Sequence, residues 1–410
     1  MASKRIKADS GLVAYISDNI LPRYRSYDKA HGLDHISAVI SRSMDICEAL
    51  RNGSMSMEDA DGHFPDDTRI PDPDMVYTIA AYHDLGISEG RENHHLSSGK
   101  MLAEDMHLRK WFNEEQIKEM KEAVEDHRAS NSRPPRSLYG RIVSEADRLI
   151  DPDTVISRCI LYGLDNHPDM DGEALFQRCF RHIKDKYGDG GYLKLQFKDS
   201  VNGAALEYLR SLVRNQDAMR EEYSRFEVHP LDPFVPDNAG ILMLGSFPPP
   251  ASRWSIDFFY PNFINDMWRI MGLIHYGDKD RFVLKGRKAF DKDAIVSFCT
   301  GKGIALYDAA YMVKRMRGNA SDNFLKIIVP TDLDSLLRSM PRCNTVVSTG
   351  GKSAETIAGI LSVKVPAIGG YSEFILKGTG RTVKFYRMPS TSRAHPMPLE
   401  EKAEYYRKLF

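Results

Sequence analysis

The first half of the chain repeats apolar residues at helical spacing. Residues 75–81 are almost all apolar, and the run closes with Tyr82-His83-Asp84-Leu85-Gly86. This pattern predicts a buried helix that ends near Gly86. Apolar stripes with a helical period also run through residues 117–124 and 142–150. We therefore expect the first half to be an all-α helical bundle.

The period changes in the second half. Short, largely apolar runs occur at residues 241–244, 303–307, 344–348 and 382–386, with helical patterns between them. Such runs are typical of buried parallel strands, so we expect a mainly parallel four-stranded sheet with helices on both faces. The proline-rich stretch 226–237 predicts a linker between a first domain, 1–225, and a second, 238–410.

Length and charge agree with two domains. The chain has 410 residues, enough for two cores. From Phe226 onward it carries 25 Lys and Arg against 18 Asp and Glu, whereas the preceding residues carry 31 against 39. The basic half is compatible with nucleic acid, and ordinary solvated charge is the alternative. The sequence has neither a membrane-spanning run nor a signal-peptide core, so we expect a cytoplasmic protein with no membrane partner and with reduced cysteines.

The candidate chemistry of the first half centres on His83 and Asp84. A buried carboxylate is costly unless a cationic partner or a metal ion compensates it, although a His-Asp pair that only caps a helix is the alternative. His35 and Asp147 lie on two other predicted helices. The four side chains form a mixed nitrogen and oxygen set, which favours manganese, iron, cobalt, nickel or magnesium over structural zinc.

In order and spacing, these residues resemble the HD-domain metal-dependent phosphohydrolases, an all-helical family named for its His-Asp doublet. The matching segments are His31 and His35, the apolar helix into the doublet, and Glu145-Ala146-Asp147-Arg148-Leu149. By resemblance, the metal ligands are His35, His83, Asp84 and Asp147. Asp84 would also orient or deprotonate the attacking water. Further positions, for a second ion or for phosphate, are His31, His95, His127 and Arg128. One ion and two both remain open, and other candidates for phosphate charge are Arg133, Arg136 and Arg148.

Polar and glycine residues follow the predicted strands, where open parallel sheets bind ligands. These strand ends carry residues 245–250, Asp308, 349–353 and 388–393. The stretch Gly350-Gly351-Lys352-Ser353 lacks the earlier glycine of a phosphate-binding loop, because Val346 stands there. The sequence therefore does not predict an NTPase.

The second half resembles the uracil-DNA glycosylase superfamily, most closely its hypoxanthine-DNA and mismatch-specific branches. The resemblance lies in four segments: 244–248, 258–268, 350–352 and 389–392. It implies an α/β/α three-layer sandwich that takes a flipped base into a pocket.

The resemblance also assigns roles within that pocket. The implied pocket residues are Gly245, Ser246, Phe247, Phe259, Tyr260 and Asn265. An aromatic ring would stack on the base, and Asn265 would bind it or position water, because Phe247 stands where many family members carry an acidic or amide residue. The implied DNA-binding residues are Pro389, Ser390, Thr391, Ser392, Arg393 and His395. Basic residues such as Lys314 and Arg315 would add phosphate attraction.

We therefore expect a bifunctional hydrolase of nucleotide or DNA metabolism. Its HD domain would cleave a phosphate ester, and its second domain would release a deaminated or modified base. One alternative is a second domain that binds DNA or nucleotide without catalysis. Another is a working glycosylase beside an HD domain that serves only as a scaffold.

Overall fold

A computed structural model describes residues 6–27, 31–59, 62, 63, 65–128, 131, 133–317 and 322–410. The chain divides into two compact units, Met1–Arg220 and Glu221–Phe410. Among the helices that the structure describes, none has both the length and the hydropathy needed to cross a membrane. The five cysteines are buried and free of disulfide bonds.

The first unit is helical, as its sequence period predicts. Its helices are α1 (Ser10–Asn19), α2 (Leu33–Arg51), α3 (Pro73–Tyr82), α4 (His94–Glu104), α5 (Glu114–Glu125), α6 (Leu138–Asp147), α7 (Pro152–Asn166), α8 (Gly172–Tyr187), α9 (Val201–Arg214) and the start of α10 (Gln216–Ser224). The α3 helix lies in the core, since Met75, Val76, Thr78, Ile79, Ala80, Ala81 and Tyr82 are all buried.

Local capping sets where these helices begin and end. The Asp72 carboxylate accepts from the Asp74 amide and Pro73 occupies the first turn, so α3 starts where its sequence predicts. Asn113 and Gln116 form a capping box at the start of α5, and Ser137 caps α6.

The second unit combines helices with two sheets. Its strands are β1 (Phe226–Val228), β2 (Ile241–Gly245), β3 (Ile304–Asp308), β4 (Ala310–Arg315), β5 (Leu325–Pro330), β6 (Thr345–Ser348), β7 (Tyr371–Leu376) and β8 (Arg381–Arg387). Its helices after α10 are α11 (Met267–Tyr276), α12 (Lys292–Lys302), α13 (Leu333–Ser339), α14 (Gly351–Leu361) and α15 (Leu399–Arg407).

The larger sheet has five strands in the order β3-β2-β6-β8-β7, rather than the four expected. The strands β3, β2, β6 and β8 are parallel, and β7 pairs with β8 in the antiparallel sense. The β7 strand was missed because it is an edge strand whose residues alternate between exposed and half-buried, so it lacks a continuous apolar run.

A smaller antiparallel sheet, β1-β4-β5, includes part of the stretch expected to be a linker. Residues 226–228 pair with β4, and Phe234 forms a bridge with Leu306 of β3. Residues 226–237 therefore belong to the second unit. Their prolines suggested a linker, but proline is also compatible with extended backbone at a sheet edge.

Candidate functional sites

The four side chains predicted to bind metal come together in the first unit. The Nε2 atom of His35 lies 3.5 Å from Asp84 Oδ2 and 3.3 Å from Asp147 Oδ1. The Nε2 atom of His83 lies 3.5 and 3.7 Å from the same two oxygens. Helix ends produce this arrangement: α2 starts just before His35, α3 ends just before His83, and α6 ends at Asp147.

A second group of imidazoles faces the other oxygen of Asp84. Asp84 Oδ1 lies 3.3 Å from His94 Nε2 and 3.5 Å from His127 Nε2, and these two nitrogens are 3.1 Å apart. Two sets of ligand atoms are thus close enough to hold an ion each: His35, His83 and Asp84, and Asp84, His94 and His127. The Asp84 carboxylate belongs to both sets.

His94 occupies the position for which the sequence suggested His95. The two are the first residues of α4, and successive helical side chains point about 100° apart, so only one of them can face Asp84. The ring of His95 instead lies 3.5 Å from Arg128 Nη1, which donates to the Glu92 carbonyl at 2.6 Å. The His-His doublet signals a ligand but does not show which member it is.

The remaining predicted position, His31, also lies outside the cluster. Its ring contacts the Arg91 guanidinium at 3.1 Å, and its centroid is 6.2 Å from that of His35. Among the predicted additional positions, His127 thus joins the cluster, whereas His31, His95 and Arg128 do not contact Asp84.

Three of the imidazoles are held in the same way. The Nδ1 atoms of His83, His94 and His127 bond the backbone carbonyls of Ala80, Arg91 and Val124 at 2.8, 2.8 and 2.6 Å. In each case the carbonyl lies three residues earlier in the chain. A carbonyl only accepts, so each Nδ1 carries a proton, and in the neutral imidazole this leaves the lone pair of Nε2 for the cluster. Second-shell bonds of this kind orient histidine ligands in metal sites.

The charges of the cluster also suit a cation. Burial alone would lower the pKa of His35, but bonds to Asp147 and Asp84 raise it to about 9. Burial opposes ionisation of Asp84 and Asp147, yet the surrounding histidines hold the pKa of each carboxyl well below its usual range. Within the part of the chain that the structure describes, the buried Nε2 atom of His83 has no hydrogen-bond partner. Such an atom beside two ionised carboxylates fits a divalent metal ion, which would replace the protons of the histidines.

Two candidate phosphate-binding arginines are already paired. The Arg136 guanidinium bonds the carboxylates of Asp126 and Glu125, both at distances below 3 Å. Arg148 donates to the Lys194 carbonyl and the Ser144 hydroxyl. Arg133 is looser, 3.8 Å from Asp126. Arg128 instead lies against a predicted histidine, with its Nη1 atom 3.5 Å from His95 Nδ1.

The second unit contains a cavity of about 630 Å³ at the carboxyl ends of the parallel strands. Its lining includes these predicted residues: Gly245, Ser246, Phe247, Phe259, Tyr260, Asn265, Ser390, Thr391, Ser392 and Arg393. Pro389 and His395 were predicted beside them but are absent from the described lining. The cavity thus brings together most of the pocket and loop residues that the resemblance named.

Two residues show how the cavity wall is held. The Asn265 side-chain oxygen accepts from the Met267 amide at 2.9 Å, so it bonds the first N–H of α11 from one residue before the N-cap Asp266. The Tyr260 hydroxyl lies 3.1 Å from Thr349 Oγ1, and burial raises the pKa of Tyr260. Tyr260 also has φ of 49°, a left-handed conformation that costs energy for a residue other than glycine. Strain of this kind is common at binding sites.

Sequence reasoning assigned no role to the pair His229 and Asp308. Asp308 ends β3 and lines the cavity, and His229 Nε2 lies 2.9 Å from its Oδ2. The position of Asp308 at a strand end was a usable signal. His229 gave none, because it falls in the stretch expected to be a linker.

Lys314 and Arg315, expected to attract phosphate, are buried in ion pairs. Lys314 bonds Glu222, and Arg315 bonds Glu227 and the Pro248 carbonyl. Arg315 therefore ties β4 to the loop after β2. The sequence suggested solvent-exposed side chains here because their acidic partners lie far away in the chain.

Residues 32–150 match the model of the HD domain family. No curated protein matches the chain. The solved structures to which it is similar include a candidate uracil DNA glycosylase from Methanosarcina acetivorans, with 18% identity over 44% of this chain and 96% of that one and a TM-score of 0.30. They also include a predicted HD superfamily hydrolase from an uncultured Thermotogales bacterium, with 19% identity over 41% of this chain and 82% of that one and a TM-score of 0.26.

The matched range begins just before α2 and ends just after α6, so it includes all five side chains around Asp84 as well as Asp84 itself. HD domains bind divalent metal ions, and the histidine and aspartate cluster could hold one. The N-terminal part of this chain therefore carries an HD domain, as the order of its histidines and aspartates indicated.

Proposed function

We propose that the first unit is a metal-dependent phosphohydrolase that holds two divalent ions. The observation that carries this proposal is the position of Asp84, whose two oxygens face different pairs of imidazoles. The residues for the first ion are His35, His83, Asp84 and Asp147. The residues for the second ion are Asp84, His94 and His127.

A bound divalent ion supplies Lewis acidity and lowers the pKa of water. The protein's contribution is to orient the histidine ligands and to neutralise the positive charge of the ion. The backbone carbonyls fix the three histidine tautomers, and the two carboxylates supply negative charge in a largely buried site. Because both oxygens of Asp84 face ligand nitrogens, we assign Asp84 to holding the site rather than to taking a proton. Arg128, beside His95, offers a guanidinium to a phosphate oxygen.

The proposal is tested with His83→Ala and Asp84→Ala in the full chain. Both variants should lose bound metal and phosphatase activity toward a generic phosphate monoester assayed with manganese. His63→Ala is the matched control, because His63 is largely exposed and its ion-pair partner among the described residues is Asp59. Metal content measured by mass spectrometry and activity after chelation are the readouts. Full activity in either variant after exhaustive chelation would remove the metal assignment.

We infer that the second unit has a uracil-DNA glycosylase-like α/β/α fold and binds a base flipped out of DNA. A cavity of about 630 Å³ is within the usual range for small-ligand sites, and it lies at the strand ends where such folds bind ligands. The preferred activity is excision of a deaminated or modified base. Together the two units would make a bifunctional hydrolase of nucleotide or DNA metabolism.

Two other assignments make different predictions. If the second unit only binds DNA or nucleotide, incubation with damaged duplexes should yield no abasic site although binding persists. If the HD domain is only a scaffold, the purified protein should carry no stoichiometric metal. A substrate screen with and without manganese, scored for phosphate release and for abasic sites, separates all three.

A further inference from the structure

The second unit has a second cavity, of about 410 Å³, whose lining is rich in charge. Its walls come from the first turn of α11 and the segment after that helix, and from α15 and the loop before it. Of the described residues that line it, four are basic and two are acidic: Arg269, Lys279, Arg393, Lys402, Asp266 and Asp280. The lining therefore carries two positive charges in excess, and a concave surface concentrates the field of such charges.

The one buried carboxylate of this set is neutralised from within the protein. The side chain of Lys402 is 1% exposed, and its Nζ atom donates to Asp266 Oδ2 and to the Ser392 carbonyl, both at 2.9 Å. Asp266 also accepts through Oδ1 from Arg393 Nε at 3.3 Å. Lys402 alone is enough to balance Asp266, so Arg393 adds a positive charge that this carboxylate does not need.

Arg269 is held rigidly beside them. Its guanidinium lies over the rings of Phe263 and Phe290, 4.6 and 5.1 Å from their centroids, and Nη1 donates to the Phe263 carbonyl at 2.8 Å. Its acidic neighbour Asp280 is exposed and 3.9 Å away. Burial, and then the charge of Arg393, lower the pKa of Arg269. Two guanidinium groups that disfavour each other's charge thus converge on one cavity, and a bound anion would relieve that repulsion.

The other basic side chains are accessible to a ligand. Lys279 is exposed, and so is half of the Arg393 side chain. Arg393 also lines the larger cavity, together with Asn265, the residue before Asp266. The two cavities therefore adjoin at Arg393, and an anion in the second would lie close to a nucleotide in the first.

We propose that this second cavity binds a backbone phosphate of the nucleic acid whose base enters the larger cavity. The proposal rests on the proposed base-binding function and adds a site that contacts no base. A phosphodiester presents two anionic oxygens that a guanidinium can bond together, and Lys279 adds a point charge. The phosphate of a free sugar or nucleotide has the same chemistry, so the experiment includes one as a competitor.

The experiment uses the full chain and duplexes that resist cleavage. Each duplex carries one 2′-fluoroarabino uridine, and in each a neutral methylphosphonate replaces a different one of the neighbouring phosphates. Fluorescence anisotropy should find a linkage close to that nucleotide at which the replacement weakens binding by the parent about fivefold. Lys279→Gln and Arg393→Gln should weaken binding of the unmodified duplex by a similar factor, and each should lower the slope of log affinity against log salt by about 0.9. Both variants should also be insensitive to the replacement at that linkage, because the contact is already lost.

Lys292→Gln is the matched control, since Lys292 is an exposed lysine of the same unit that lies outside the described lining of this cavity. It should keep the parent's sensitivity at the same linkage. The proposal is overturned if the parent has no sensitive linkage, or if Lys279→Gln, which changes only an exposed side chain, is as sensitive as the parent.

Two further measurements separate this site from its alternatives. Ribose 5-phosphate should not displace the duplex, and displacement without a sensitive linkage would assign the cavity to a free phosphate ester and overturn the backbone assignment. Excision of natural deoxyuridine is measured separately. A parent that has the sensitive linkage but excises nothing supports this inference and contradicts the glycosylase activity, whereas excision without a sensitive linkage does the reverse.

Discussion

His94 and His95 are adjacent in the chain, yet only His94 faces Asp84. If a second ion binds as proposed, His94→Ala should lose about half of the bound metal. Its phosphatase rate should fall at least tenfold. Loss of a partner that bonds a metal ligand commonly lowers metal affinity or activity ten- to hundredfold, and loss of a ligand itself should have at least as large an effect. His95→Ala is the natural control and should keep its full metal content. Metal-to-protein ratios and initial rates measure both.

A His95→Ala variant that loses metal while His94→Ala keeps it would reverse this assignment.

The residue types and their order predicted that His35, His83, Asp84 and Asp147 would gather, and the structure places them together. The sequence could not choose within the doublet, because the choice depends on where α4 starts and on the backbone turn that brings Arg91 O to His94 Nδ1.

Two substitutions of Asn265 distinguish a structural role of its side-chain amide from a catalytic one. Asn265→Ala removes both the oxygen that bonds the first amide of α11 and the NH₂ group, whereas Asn265→Asp keeps that oxygen and replaces the NH₂ donor with a charged oxygen. In both variants the rate of excision of a flipped base should fall about a hundredfold. Their affinity for duplex DNA should stay near that of the parent, because phosphate contacts supply most of that affinity. Asn262→Ala, another cavity amide, should excise normally. Single-turnover excision and matched binding curves are the measurements.

If Asn265→Asp excises like the parent, the amide donor has no part in the reaction. If only Asn265→Ala is impaired, the residue acts through its bond to the first amide of α11.

At the scale of elements, the proposed metal ligands lie at or just beyond helix ends. Helix α3 ends before His83, α5 ends before Asp126 and His127, and α6 ends at Asp147. Apolar periodicity predicted these helices well, because burial of one face is local information. It predicted the second unit less completely. The residues of the edge strand β7 alternate in burial, and β1 is followed by prolines, so neither strand has a continuous apolar run. Each is recognised only from its pairing with another strand.

Close packing between the turn after Asp84 and α4 predicts that Gly86→Ala disturbs the site. A Cβ on Gly86 would lie 2.5 Å from the His94 carbonyl oxygen and 2.5 Å from the Ser98 amide. These are backbone atoms, so the helix that carries His94 must move. We expect a loss of about 1–3 kcal/mol in the free energy of unfolding, as for other overpacked cores, together with weaker metal binding.

Chemical denaturation and metal titration test this prediction. Gly172→Ala is the control, because a Cβ there would have nothing within 4 Å. If Gly86→Ala is as stable as the parent and binds metal normally, the close approach does not position His94.

At the scale of the whole molecule, the spacing of apolar residues changes from a helical to a strand pattern near the point where the chain divides into two units. The HD match ends at residue 150, inside the first unit, and the parallel strands all lie in the second. The sequence predicted a boundary at residue 225, and the chain divides into compact units after Arg220. The short difference arises because the chain enters β1 directly from α10, so no separate linker marks the change.

Each unit has its own core, so we predict that metal stabilises only one of two unfolding transitions. A ligand at a hundred times its dissociation constant adds about 2.7 kcal/mol to the state that binds it. For a unit of this size that corresponds to a rise of about 5–10 °C in Tm. Calorimetry of the full chain with manganese should show this rise in one transition, and His83→Ala should abolish it without moving the other. A single transition that shifts as a whole would show that the two units unfold together, and an equal shift in His83→Ala would place the stabilising ion away from Asp84.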